Sequence, residues 1–134
     1  MKTIILDTNF LLIPGNLRID IFSEIYRIME EPYQLSIIDM ALDELNNIID
    51  QQQGRHKMAA KLALQLIKRK KIKIIKTKRL YMKMNSKTGI ADDTILNISD
   101  DKIIVATQDK GLRQKLAEKG VKTILLRNKQ LELR

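Results

Sequence analysis

Short apolar runs alternate along the chain with longer stretches in which apolar positions recur every three or four residues. The short runs, near 3–6, 34–38, 73–75, 103–106 and 123–126, read as strands. The longer ones, near 19–29, 40–49, 56–68, 91–98 and 111–118, read as amphipathic helices, with a turn at Asn85-Ser86-Lys87-Thr88-Gly89. Strands separated by helices predict βαβ units, so the expected fold class is α/β, a mainly parallel sheet of about five strands with helices on both faces. With 134 residues and no repeat or linker, the chain is expected to form one domain over 1–134. In such sheets functional groups gather beyond the carboxyl ends of the strands. Asp7 ends the first strand in IILDTNFLL, and Asp109 stands just past the fourth in IIVATQDKG.

An ionised carboxylate among so many apolar neighbours is costly unless it is paired, hydrogen-bonded or bound to a metal. Two more acids are candidates by the face they occupy. In MALDELNNIID, Glu44 borders the side set by Met40, Ala41, Leu45, Ile48 and Ile49, whereas Asp43 shares the wet side with Asn47 and Asp50. In ADDTILNI, Asp92 falls beside Ile95 and Leu96, with Asp93 turned farther round and close enough to assist. Taken singly, Asp92 can serve a first helical turn and Asp109 can cap a helix. Four carboxylates meeting at one sheet edge cannot all stay ionised without cations. All-oxygen clusters of this kind suit Mg²⁺ or Mn²⁺, ions that also bind phosphate oxygens.

Charge sharpens the picture once it is divided along the chain. The net charge is +9, yet residues 1–53 carry nine acids and three bases, while residues 54–89 carry thirteen bases and no acid. A basic stretch of that density suggests a polyanion, because Lys and Arg that neutralise phosphates release counterions; the plainer reading is a solvated lysine-rich face. A carboxylate metal site beside a phosphate-binding surface implies phosphodiester hydrolysis. Rival chemistries lack their parts. His56 is the one histidine, which excludes a two-histidine ribonuclease mechanism, and it reads as a surface or RNA-contacting residue. There is no glycine-rich phosphate loop and no cysteine, so thiolate sites and disulfides are excluded too. The missing cysteines and the lack of any apolar run near the ~18 residues of a membrane span lead us to expect a cytoplasmic protein.

The sequence resembles the PIN-domain ribonucleases in ILDTNFLL, Glu44, GIADDTIL and VATQDKGLR, in that order over nearly the whole chain. The resemblance implies a three-layer α/β/α fold and endonucleolytic cleavage of single-stranded RNA. It also implies that Asp7, Glu44, Asp92 and Asp109 form the catalytic Mg²⁺ or Mn²⁺ site, with Asn9 and Thr107 in support. Two branches compete. DTNFLLIP with DIFSEI, ADDTIL and VATQDKGLR resembles the archaeal pre-ribosomal RNA processing nucleases. The size fits VapC-type toxins, which are inhibited by an antitoxin and often dimerise, and the apolar stretch 21–29 is a candidate dimer face.

In the basic stretch, Lys68, Arg69, Lys70, Lys71, Lys78 and Arg79 are the expected RNA contacts, and Tyr81 reads as packing rather than as a stacking platform. A different class of function is a non-catalytic RNA-binding module that keeps its acids as a structural metal site. A receiver-like signalling domain would need an acid ending its central strand, and Ile72-Lys73-Ile74-Ile75 is followed by Lys76, Thr77 and Lys78 instead.

Overall fold

The structure is a computed structural model that describes residues 1–77 and 90–134; Lys78, Arg79, Tyr81 and the turn at 85–89 lie outside the described residues. The chain runs β1 (Lys2–Leu6), α1 (Thr8–Leu11), α2 (Ile13–Leu17), α3 (Ile21–Ile28), β2 (Tyr33–Ile38), α4 (Asp39–Gln51) and α5 (Gly54–Arg69). It continues through β3 (Lys73–Ile75), α6 (Ile90–Ile98), β4 (Ile103–Ala106), α7 (Lys110–Glu118), β5 (Lys122–Arg127) and β6 (Gln130–Leu133).

The six strands form one sheet in the order β3-β2-β1-β4-β5-β6. All pairings are parallel except that of β5 with β6. The sixth strand is one more than the sequence pattern suggested. It returns antiparallel through Asn128 and Lys129, both with positive φ, the tight reversal that a two-residue hairpin demands.

β1 sits near the middle, flanked by β2 and β4, and its consecutive residues Ile4, Ile5 and Leu6 are each 0% exposed. Neighbouring strand residues point to opposite faces, so both faces of the sheet are covered. The β1→β2→β3 steps and the β4→β5 step travel in opposite directions across the sheet. Right-handed crossovers therefore set their helices on opposite faces, which is the α/β/α layering.

Local rules explain the helices. Asp20 caps α3, its Oδ1 accepting from the backbone N–H groups of Phe22 and Ser23 at 3.1 and 3.2 Å. The apolar face of α3 is turned inward, with Ile21, Phe22 and Ile25 buried in the core, while Tyr26 in the stretch considered as a dimer face is exposed. On the other side of α3, Glu24 accepts from Leu131 N–H at 2.9 Å and Arg27 donates to Leu131 O at 3.0 Å, tying the helix to β6. Gly15 lets α2 lie directly on α5, since a Cβ there would meet Ala59 Cα at 2.5 Å.

Candidate active site

β1 delivers Asp7 to the carboxyl edge of the sheet, and hydrogen bonds fix it there. Its N–H donates to Ala106 O at 2.9 Å, which continues the β1–β4 pairing past the last strand residue. Its Oδ1 accepts from Thr8 N–H at 2.8 Å, so the carboxylate caps α1. Its Oδ2 accepts from the Thr107 hydroxyl at 2.7 Å. Burial nevertheless raises the pKa of Asp7 above the ordinary carboxylate value, against the Thr107 and Thr8 bonds and with help from the Asp109 charge; the Asn9 side chain favours the charged form.

Thr107 is fully buried and serves two acids at once, because the same oxygen accepts from Asp109 N–H at 3.1 Å. Asp109 caps α7, its Oδ1 accepting from Leu112 N–H at 3.0 Å. That bond holds its pKa below the ordinary value against partial desolvation, aided by a hydrogen bond from Asp92, the Gly111 N–H and the Lys115 charge. Asn9 Oδ1 accepts from Gln108 N–H at 3.1 Å, which braces the loop between β4 and α7.

Glu44 is half-buried on α4 while Asp43 is exposed, the division expected from the helical faces. Burial raises its pKa, a hydrogen bond with Thr8 opposes the rise, and the charges of Asp7 and Asp43 add to it. The Thr94 hydroxyl lies 3.7 Å from Met40 Sδ and brings α6, which carries Asp92, against α4, which carries Glu44. Asp92 is the most perturbed of the set, its pKa pushed up to about 7 by burial, then by the charges of Asp7 and Asp109, a hydrogen bond shared with Asp109, and the charge of Glu44. Asp93 is half-buried in the first turn of α6 and has interactions of its own.

The four acids therefore feel one another's field at a single edge, although among the described residues no three stand close enough to grip one ion as placed. Asp92 and Asp109 hold a hydrogen bond between themselves, the arrangement that two neighbouring carboxyls adopt when one keeps its proton. The donor set is carboxylate and hydroxyl oxygen with no sulfur or imidazole, which suits a hard divalent cation.

The basic residues are placed differently. Lys68 and Arg69 end α5 and Lys70 and Lys71 follow it, all exposed, entering β3 from its amino end rather than from the edge where the acids stand. Lys70 Nζ lies over the Phe22 ring at 5.3 Å. His56 is exposed in the first turn of α5. Two connections were not foreseen from the sequence. Thr8 links Glu44 to the Asp7 corner, and its signal was a lone hydroxyl in an apolar run. Asp39 takes both the N–H and the hydroxyl of Thr77, at 2.9 and 2.6 Å, a contact across 38 residues with no local signature.

A parallel sheet with its acids gathered past β1 and β4 defines a PIN-like domain. The family model of that description matches residues 4–129, and the chain belongs to this family. Among curated relatives, ribonuclease VapC4 of Methanocaldococcus jannaschii is 30% identical over 97% of this chain and 94% of its own. Among solved structures, the PIN domain endonuclease Utp24 superposes with a TM-score of 0.74 at 22% identity, covering 98% of this chain and 90% of that one. VapBC-1 from nontypeable Haemophilus influenzae superposes at 0.55 with 14% identity, covering 87% and 93%, and like Utp24 it speaks to the fold.

Proposed function

We propose that this chain is a divalent-metal-dependent endoribonuclease that hydrolyses phosphodiester bonds in single-stranded RNA. The observation that carries the reading is the set of four acids in one electrostatic field, with Asp92 pushed up to about 7. Asp7, Asp92 and Asp109 are the residues to hold a Mg²⁺ or Mn²⁺ ion, with Glu44 completing the shell or serving a second ion. Such an ion supplies the positive charge that activates water and stabilises the phosphoryl oxygens.

The chain's own residues do the rest. Thr107 and Thr8 hydrogen-bond the two oxygens of Asp7 and favour its charged form against burial, and Thr107 sets the distance between Asp7 and Asp109 by bonding to both. Asn9 holds the Gln108 backbone, and Asp93 supports the first turn of α6. The basic stretch at the end of α5 draws the RNA backbone to the protein.

As to pathway, the motifs around Asp7 and Asp92 support ribosomal RNA processing, and an antitoxin-controlled VapC role is the second reading, favoured by the 30% identity to ribonuclease VapC4. Labelled single-stranded RNA incubated with wild type and Asp7→Asn in Mn²⁺, Mg²⁺ or EDTA tests the activity. Cutting that needs the ion and vanishes in the variant supports the nuclease; persistent binding with no cutting in any ion favours the RNA-binding module.

A further inference from the structure

On the β6 side of the sheet, α7 and the β5–β6 hairpin enclose an open groove of about 450 Å³. Its charged side chains are Lys110, Arg113 and Arg134, with no acidic side chain in the lining. Lys110, Arg113, Gln114 and Ala117 follow the i, i+3, i+4, i+7 spacing and so share one face of α7. The backbone bonds between Thr123 and Arg134, both 2.8 Å, bring Arg134 to the facing wall. One of its guanidinium nitrogens is 3.3 Å from Glu132 Oε1, an exposed pair that leaves its other donors available.

Arg113 is the telling residue. Its Nε is buried and has no hydrogen-bond partner. A guanidinium cannot shed its proton, so a half-buried one beside two further cations is poised for an anion. The fork of an arginine matches the oxygens of a phosphate.

We propose that this groove is a phosphate subsite, taking a backbone phosphate of the RNA beyond the bond that is cut. The inference rests on the nuclease reading for its substrate. Lys110 directly follows Asp109, so the groove opens at the acid edge. From Lys110 to Ala117 the helix rises about 10 Å, room for one or two backbone phosphates. Strand order sets the path: the groove lies by β5 and β6, beside the ends of β1 and β4 with Asp7 and Asp109. An RNA strand laid across the acids is then held on the β5 side of the bond that is cut.

The test is binding of a fluorescein-labelled single-stranded RNA by wild type, Arg113→Gln, Lys110→Gln and the control Lys102→Gln, in EDTA so that no cutting intervenes. Arg113→Gln should weaken binding about tenfold and Lys110→Gln less. Each should lower the slope of log affinity against log salt by about one, while Lys102→Gln stays near wild type. Circular dichroism melting confirms that each variant is folded, and Lys110→Gln, on the exposed side of α7, keeps the test open if Arg113→Gln is not. RNA affinity unchanged in both variants overturns the subsite. Inorganic pyrophosphate raising the melting temperature of wild type but not of Arg113→Gln, with RNA binding unaffected, overturns RNA as the occupant in favour of a free anion. Cleavage in Mn²⁺ is scored separately: binding that depends on Arg113 without cleavage sinks the nuclease reading and leaves the subsite standing.

Discussion

Replacing Thr107 by valine isolates the bond that joins the two central acids. The change keeps the shape of a fully buried side chain, so no cavity opens, and removes one oxygen. That oxygen donates to Asp7 Oδ2 at 2.7 Å and accepts from Asp109 N–H at 3.1 Å. A hydrogen bond to a charged group contributes about 1.5–3 kcal/mol, and an orphaned N–H costs about 1 kcal/mol more where water can partly reach it. The expected loss is therefore about 2–4 kcal/mol, a large share of the 5–15 kcal/mol typical of a domain. The loss should also depend on pH. Thr107 holds the Asp7 pKa down against burial, so its removal raises that pKa further. A raised carboxyl favours the folded state at low pH and loses that advantage as pH rises, which makes the variant costlier at pH 8 than at pH 5. Urea unfolding in EDTA at both pH values measures this, with Thr107→Ser as the variant expected to recover most of the stability. A Thr107→Val cost below about 0.5 kcal/mol at pH 8, or one that is the same at both pH values, refutes the reasoning.

Other outcomes follow from the same geometry. Asp92, at about 7 against an ordinary 3.8, holds its proton more tightly in the folded than in the unfolded state. Its stabilising contribution is complete below about pH 4 and fades as pH rises through about 7, by about 1–2 kcal/mol once a half-exposed group is discounted for solvent screening. Urea midpoints in EDTA should fall from pH 5 to pH 8 and flatten in Asp92→Asn; a flat wild-type profile counts against it. Asp7→Asn relieves the burial and repulsion of a carboxylate but gives up the acceptor of the Thr107 hydroxyl, so RNA cleavage should be lost while metal-free protein keeps its wild-type circular dichroism, and cleavage in Mn²⁺ that persists in the variant speaks against Asp7 as a metal ligand. Gly15→Ala would set a Cβ 2.5 Å from Ala59 Cα and should cost about 1–3 kcal/mol; Ala59→Gly should not fully rescue it, because the Cα remains, and complete rescue in the double variant would disprove the backbone contact.

What could be read in advance was whatever repeats along a strand or a helix. The runs at Ile4–Ile5–Leu6 and Ile103–Ile104–Val105 announced two central strands because burial on both faces demands unbroken apolar sequence. Helical phase separated Glu44 from Asp43, and burial follows that separation. Phase was weaker for Asp92 and Asp93, both half-buried; it is the field of Asp7, Asp109 and Glu44 that sets Asp92 apart. The pieces α1 and α2 escaped notice because each is about one turn long, too short for a period to show, and α2 carries Pro14 and Gly15. Four residues of alternation in QLEL were too few to reveal β6. The Asp39–Thr77 bond and the groove around Arg113 depend on residues far apart in the chain, and on α7 alone Lys110 and Arg113 look like any solvated pair.

The central place of β1 has a consequence for the growing chain. Asp7 is made 100 residues before Thr107, which follows β4 and completes its pocket. At about 5–20 residues per second, roughly 5–20 s of synthesis separate the two. Until β4 arrives to pair Thr3 with Ile103 and Leu6 with Ala106, Asp7 lacks the Ala106 carbonyl, the Thr107 hydroxyl and its neighbour Asp109. Under the proposed activity, a partly made chain is harmless to the RNA around it, and the order in which the strands are laid down acts as a delay on the nuclease.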